Sequence, residues 1–172
     1  MNGGATGATT GIAGEAVRLR HAEAADVPAL VALERNFSGD RMSRASLARL
    51  VAAPAASVWV AELGGQVVGD AVVAYPPGSD VARVYSLAIE PGFRRRGIAA
   101  ALMRRLELEA VERGCSALRL EVRVDNVAAR RLYEALGYEL VGTVEGFYHD
   151  RSSALLLRKL VGAAREAPGA GS

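Results

Sequence analysis

Two periods of apolar spacing alternate along the chain and lay out its elements. Val17 and Leu19 alternate with Arg18 and Arg20, the period of a half-buried strand. Over residues 26–36, apolar side chains fall at Val27, Leu30, Val31 and Leu33, a helical stripe with Pro28 tolerated in its first turn. Residues 43–53 read as a second short helix closed by Pro54. Residues 57–63 and 66–75 read as strands flanking Gly64-Gly65, a two-residue hairpin signal. After Pro76-Pro77-Gly78, residues 81–89 form the next strand, and Glu90-Pro91-Gly92 ends it. Proline restricts Glu90 to extended geometry, and Gly92 allows the turn. Residues 97–113 carry Ile98, Leu102, Met103, Leu106 and Ala110 at helical spacing. A strand over 117–124, a helix over 126–136 and strands over 138–144 and 154–160 complete the order. The pattern β-α-α-β-β-β-α-β-α-β-β predicts one mixed α/β domain over 16–161, without internal repeat or linker. Residues 1–15 and 162–172, rich in small residues, are expected to be disordered tails.

Composition narrows the function classes. A chain of 172 residues with 51% hydrophobic content suits a single core. The net charge of +2 is mild and scattered, and the arginine pairs lack interleaved aromatics, so nucleic-acid binding is not expected. Lys159 is the sole lysine. The single cysteine, Cys115, rules out an internal disulfide and a Cys-based zinc site, and no metal is expected. Placed between a helix end at Gly114 and a strand, it reads as a packed small hydrophobe rather than a nucleophile. No run approaches membrane-spanning length, so no membrane association is expected. Residues 1–15 have neither a basic start nor an apolar core, so they are not read as a signal peptide, and a reducing cytoplasm is the expected compartment.

The strongest chemical signal is Arg94-Arg95-Arg96-Gly97-Ile98-Ala99, between a strand and a long helix. Free N–H groups at a helix start attract an anion, and arginines add charge-assisted hydrogen bonds. Gly97 lets the backbone close on a phosphate where a Cβ would intrude. A merely solvated basic helix start is the other reading, but arginine there opposes the helix dipole.

Arg94-x-x-Gly97-x-Ala99 resembles the R/Q-x-x-G-x-G/A signature of the GCN5-related N-acetyltransferase (GNAT) superfamily, which binds acetyl-CoA. A second block, Leu120-Glu121-Val122-Arg123-Val124-Asp125-Asn126 through Ala129, Leu132-Tyr133 and Leu136-Gly137-Tyr138, is similar to a segment of the bacterial ribosomal-protein alanine N-acetyltransferases. Both blocks occur in the family's order and spacing, and the likeness spans roughly residues 17–160. It implies the GNAT fold, a mostly antiparallel sheet of about seven strands with four helices. It further implies an acetyl-CoA cosubstrate and a primary-amine acceptor, either a protein N-terminus or a small molecule, served by direct transfer. A non-catalytic acyl-CoA-binding module is the rival reading.

The resemblance also assigns roles. The backbone of Leu87, Ala88 and Ile89 would pair with the pantetheine arm, and the N–H groups of Arg95, Arg96, Gly97, Ile98, Ala99 and Ala100 would cradle the pyrophosphate, with Arg94 beside them. Asn126 and Ala129 would line the cofactor, although Asn126 also suits a helix cap. Glu121 would be the general base. By alternation it shares a strand face with Arg119 and Arg123, so it could instead be one charge of a balanced polar face. Tyr133 would be the general acid, or an amphipathic packing residue. Ala128, Leu132 and Leu136 form a second stripe suited to the core. Acceptor choice is expected from 37–44 and 146–153, with Phe37 and Tyr148 as substrate contacts. In these loops Phe37-Ser38-Gly39-Asp40 and Arg151-Ser152-Ser153-Ala154 depart from the ribosomal-protein branch, and His149 reads as a solvated loop histidine.

Overall fold

A computed structural model describes residues 9–12, 15–36 and 40–162. Within these residues, eight strands form one sheet in the order β1-β2-β3-β4-β5-β6-β8-β7. They are β1 Thr9–Ile12, β2 Glu15–His21, β3 Ala56–Leu63, β4 Gln66–Ala74, β5 Val81–Ile89, β6 Ala117–Arg123, β7 Glu139–Val144 and β8 Ala154–Leu160. Four helices cover it: α1 Val27–Glu34, α2 Arg44–Ala52, α3 Ile98–Glu112 and α4 Val127–Ala135. The predicted elements are all present, with ends shifted by a residue or two.

One expectation is corrected. The segment 1–15 is expected to carry no structure, yet Thr9–Ile12 pairs antiparallel with Glu15–His21 and adds an eighth, edge strand to the expected seven. Thr9-Thr10-Gly11-Ile12 has no alternation of apolar and polar residues by which a strand could be read from the sequence. The remaining tail positions, 1–8, 13–14 and 163–172, lie outside the described residues.

The sheet divides the core into two. On one face α3 and α4 bury Trp59, Ala71, Leu102, Met103, Leu106, Leu118 and Tyr133. On the other, α1 and α2 bury Leu30, Leu47, Leu50, Val58, Val60 and Val72. Trp59 is 2% exposed, and its Nε1–H donates to Glu109 on α3 (2.9 Å), so the indole is packed without stranding its polar atom.

Among the described residues, all neighbouring strands are antiparallel except β5 and β6, and there the sheet opens. Their parallel pairing runs from Val81↔Ala117 to Val84↔Leu120 and goes no further. β5 carries a bulge opposite Val72/Val73, where Tyr85 is the extra residue. A bulge increases local twist. Past it, β5 follows β4 as far as Gly69↔Ile89, while β6 follows β8 as far as Arg123↔Ala154. The two halves of the sheet part like a V. Gly69 fits this arrangement: a Cβ there would lie 2.7 Å from Ile89 Cδ1 and 3.3 Å from the Ala88 carbonyl oxygen. Glycine lets the parted end of β5 settle against β4.

Candidate active site

The V opens onto a cleft of about 870 Å³, lined by Leu87, Ala88 and Ile89 on one side and by Glu121, Val122 and Arg123 on the other. Its ends are built differently. One end is the loop from β5 to α3. A 3-10 turn over Pro91–Phe93 leads into Arg94 in extended geometry, Arg95 at φ +62° and Gly97 at φ +78°. A non-glycine residue in the left-handed region is uncommon and marks a backbone held in a strained shape. Alternating left-handed residues turn successive N–H groups toward one side, forming an anion-binding concavity. Gly97 is the N-cap of α3 and offers no side-chain cap, so the first-turn N–H groups of that helix face the cleft. A Cβ on Gly97 would meet no protein atom within 4 Å. The glycine is therefore required by its φ rather than by any protein neighbour.

Arg94, Arg95, Gly97, Ile98, Ala99 and Ala100 all line the cleft, as expected. Arg96 does not. Its guanidinium lies over the Phe93 ring at 5.0 Å, and it is Phe93, which no sequence motif marks, that reaches the cleft wall.

α4 forms the roof. The side chain of Asn126 accepts from the Ala129 N–H (3.2 Å), so it caps the helix and lines the cleft at once. Tyr133 is the buried residue of α4 at 7% exposure; Leu132 and Leu136 are half-buried and pack against the core as their stripe predicts, whereas Ala128, expected on that stripe, is exposed and faces the cleft. Tyr133 packs edge-on against Tyr138 at 5.6 Å, and burial, with Tyr148 nearby, pushes its hydroxyl well above the usual phenol range.

The other end is built from side chains of distant segments. Glu121 is ion-paired to Arg83 of β5 at 3.3 Å. Arg123 reaches Asp150 at 2.8 Å, and its guanidinium covers the Tyr148 ring at 4.5 Å. Two hydrogen bonds from Ser152 and this arginine hold the Asp150 carboxyl at about 2. Tyr148 is 8% exposed, and its hydroxyl is pushed up to about 12 by burial, against the lowering effect of Arg123. Asn36, just past α1, closes the wall. Asp40 accepts from the His149 backbone N–H (3.3 Å), with the imidazole 3.5 Å away, so the two acceptor-side loops touch across the mouth. Phe37, expected as a substrate contact, lies outside the described residues. Glu121, Tyr133 and Tyr148 are thus brought together, whereas Cys115 is not in the cleft. Its thiol packs against the α3 face of the core, and burial followed by Asp80 raises its pKa.

A sheet split between its parallel pair, with a glycine-capped helix start beside the split, defines a GNAT acyltransferase architecture. The sequence profile of the Acetyltransferase (GNAT) family matches residues 26–138, and the chain belongs to that family, whose cosubstrate is acetyl-CoA. A curated acetyltransferase of Pectobacterium atrosepticum is 44% identical over 85 residues, 49% of this chain. The match covers 59% of that relative and 58% of a second, from Sodalis glossinidius, so the chain spans less than two thirds of their length. Among solved structures, the ribosomal-protein-S18-alanine N-acetyltransferase of Escherichia coli superposes with a TM-score of 0.75 at 26% identity, covering 84% of this chain and 94% of the other. Ard1 of Thermoplasma volcanium gives 0.77 at 26% identity, covering 84% and 97%.

Proposed function

We propose that the chain transfers an acetyl group from acetyl-CoA directly to the N-terminal amine of a protein. The observation that carries this is one cleft that holds the 94–100 loop, Glu121 and Tyr133 on its walls. The thioester arm would lie along Leu87, Ala88 and Ile89, whose outer backbone edge is left by β6, and the pyrophosphate would sit on the start of α3. An attacking amine must be neutral, so Glu121 accepts its proton directly or through water. Nitrogen then bonds to the carbonyl carbon and releases its second proton to water, and the intermediate collapses as the carbon–sulfur bond breaks. Tyr133, kept protonated by burial, donates to the sulfur as negative charge develops there. A phenol this weak as an acid can complete the transfer because the same apolar walls also raise the affinity of the thiolate for a proton. Cys115 lies outside the cleft and its thiol is hard to ionise, which favours direct transfer over an acetyl-cysteine route.

The protein N-terminus is favoured by the likeness to a solved structure named as a ribosomal-protein-S18-alanine N-acetyltransferase. One observation favours a small-molecule amine instead: the Asp40–His149 contact ties the two acceptor-side loops together, which leaves less freedom to admit a polypeptide. Free CoA release with acetyl-CoA and three acceptors decides between them. These are an alanine-starting hexapeptide, the same peptide N-terminally blocked, and spermidine. Turnover of the free peptide alone supports the proposal, and turnover of spermidine alone replaces it. If no acceptor is used while acetyl-CoA still stabilises the protein, the chain is a binding module.

A further inference from the structure

Beneath the acceptor end lies a buried polar cluster that the proposed reaction does not use. Glu34, in the last turn of α1, is 1% exposed, with Ser86 of β5 at 2% and Asp70 of β4 at 0%. The Ser86 hydroxyl donates to Glu34 Oε1 at 2.6 Å, and the Met42 backbone N–H donates to Glu34 Oε2 at 3.4 Å. Both carboxylate oxygens are engaged, one by each side of the cleft's foundation.

This is an unfavourable place for the group. A negative charge at a helix C-terminus opposes the macrodipole. Desolvation raises the Glu34 pKa against the lowering effect of the bonds from Ser86 and Met42, and Glu34 in turn disfavours the charge of a second buried carboxyl, Asp70, whose oxygens have no partner among the described residues. A leucine would fill the space at lower cost to the fold. What leucine would not do is join three segments. Ser86 immediately precedes Leu87, where the edge of β5 borders the cleft. Glu34 stands two residues before Asn36 on the opposite wall, and Met42 anchors the loop whose Asp40 touches His149.

We propose that Glu34 is a positioning residue that locks the acceptor-side loop to the acetyl-CoA strand, so that the acceptor end of the cleft is held in its binding shape. This rests on the acetyl-transfer reading but not on the identity of the acceptor. Glu34→Gln removes the charge: its amide oxygen can face the Met42 N–H and its NH2 the Ser86 hydroxyl, so both ties lose their charge assistance and the one to β5 reverses direction. Ser86→Ala removes only the tie to β5.

The test measures steady-state kinetics with acetyl-CoA and whichever amine of the three-acceptor panel the wild type uses, together with amide hydrogen exchange over 40–43. Glu34→Gln is expected to raise the acceptor KM about 10-fold, the scale of one lost charged hydrogen bond, and Ser86→Ala less. KM for acetyl-CoA and kcat should stay within about 2-fold, and exchange over 40–43 should quicken in both variants. A merely structural role would instead weaken both substrates together. That outcome, or an unchanged acceptor KM with unchanged exchange, overturns the proposal. If Glu34→Gln does not fold, Ser86→Ala decides by the same two readouts. A wild type that ignores the hexapeptide counts against the acceptor assignment alone, because the exchange measurement needs no acceptor.

Discussion

The two ends of the cleft are made of different material. The end at the start of α3 is backbone: a left-handed pair at Arg95 and Gly97, the N–H groups of a helix start, and the bare edge of β5. The other end is made of side chains from α1, β5, β6 and the β7–β8 loop, tied by ion pairs and a buried carboxylate. A site made of backbone fixes geometry and tolerates many side chains. One made of side chains fixes chemistry and can be retuned one residue at a time.

That contrast predicts graded damage. The largest effect belongs to Gly97→Val, which forces a β-branched residue into φ +78° at the wall of the cleft. Wild type with acetyl-CoA at 100-fold over Kd should gain about 5–10 °C in Tm, and the variant none. An undiminished shift in the variant would move the cosubstrate away from this loop.

Next comes Tyr133→Phe, which keeps the buried ring and its edge contact with Tyr138 while removing the hydroxyl. Turnover should fall about 10²-fold with the acetyl-CoA KM unchanged. Rates that match wild type would reduce Tyr133 to a packing residue. The companion change Glu121→Gln should lose activity at neutral and lower pH and recover above about pH 8 as the N-terminal amine loses its proton unaided, on the ordinary α-amino pKa of about 8. A deficit that persists unchanged at high pH would mean that Glu121 matters through Arg83 instead.

Tyr148→Ala acts at the other end and should raise the acceptor KM about 10-fold, sparing acetyl-CoA binding. Loss of acetyl-CoA affinity with normal acceptor kinetics would show the two ends to be interchanged.

The smallest effect concerns stability. The Asp70 carboxyl is raised by burial and then by Glu34, so the fold holds its proton more tightly than the unfolded chain does. The sign follows: above the ordinary value of 3.8 the unfolded chain releases that proton while the fold retains it, so wild type loses stability as pH rises toward the folded value. Asp70→Asn has no such proton. Its Tm should gain on wild type by about 2–4 °C between pH 4 and 7 in thermal melts. A constant difference across that range would mean that Asp70 is ionised in the fold.

Legibility in the sequence follows the same division. The backbone end announces itself locally, because the strand stop at Pro91-Gly92 and the glycine at 97 lie within one short stretch of chain, directly before a helix. Glu121 and Tyr133 were legible through their motif, and alternation along β6 set Glu121 on the face that lines the cleft. Arg83 as the partner of Glu121 was not, since it depends on which strand lies beside β6. Glu34 and Asp70 did leave a signal. Glu34 falls on the stripe of Val27, Leu30 and Val31, and Asp70 interrupts an otherwise apolar run from Val67 to Val73. A polar residue where the period demands an apolar one is a buried polar residue in need of a reason. The β1 strand left none, since Thr9-Thr10-Gly11-Ile12 carries no apolar alternation.

The parted strands have a last consequence. On the proposed reading, the pantetheine arm takes the place of the missing rungs between β5 and β6, so the cosubstrate acts as a removable stave in a ladder the polypeptide leaves incomplete. Resistance to heat and to proteases then depends on how well the cell is supplied with acetyl-CoA, by about 2.7 kcal/mol when the supply is 100-fold above Kd. A starved cell would hold the same number of copies in a softer form, and would clear them sooner.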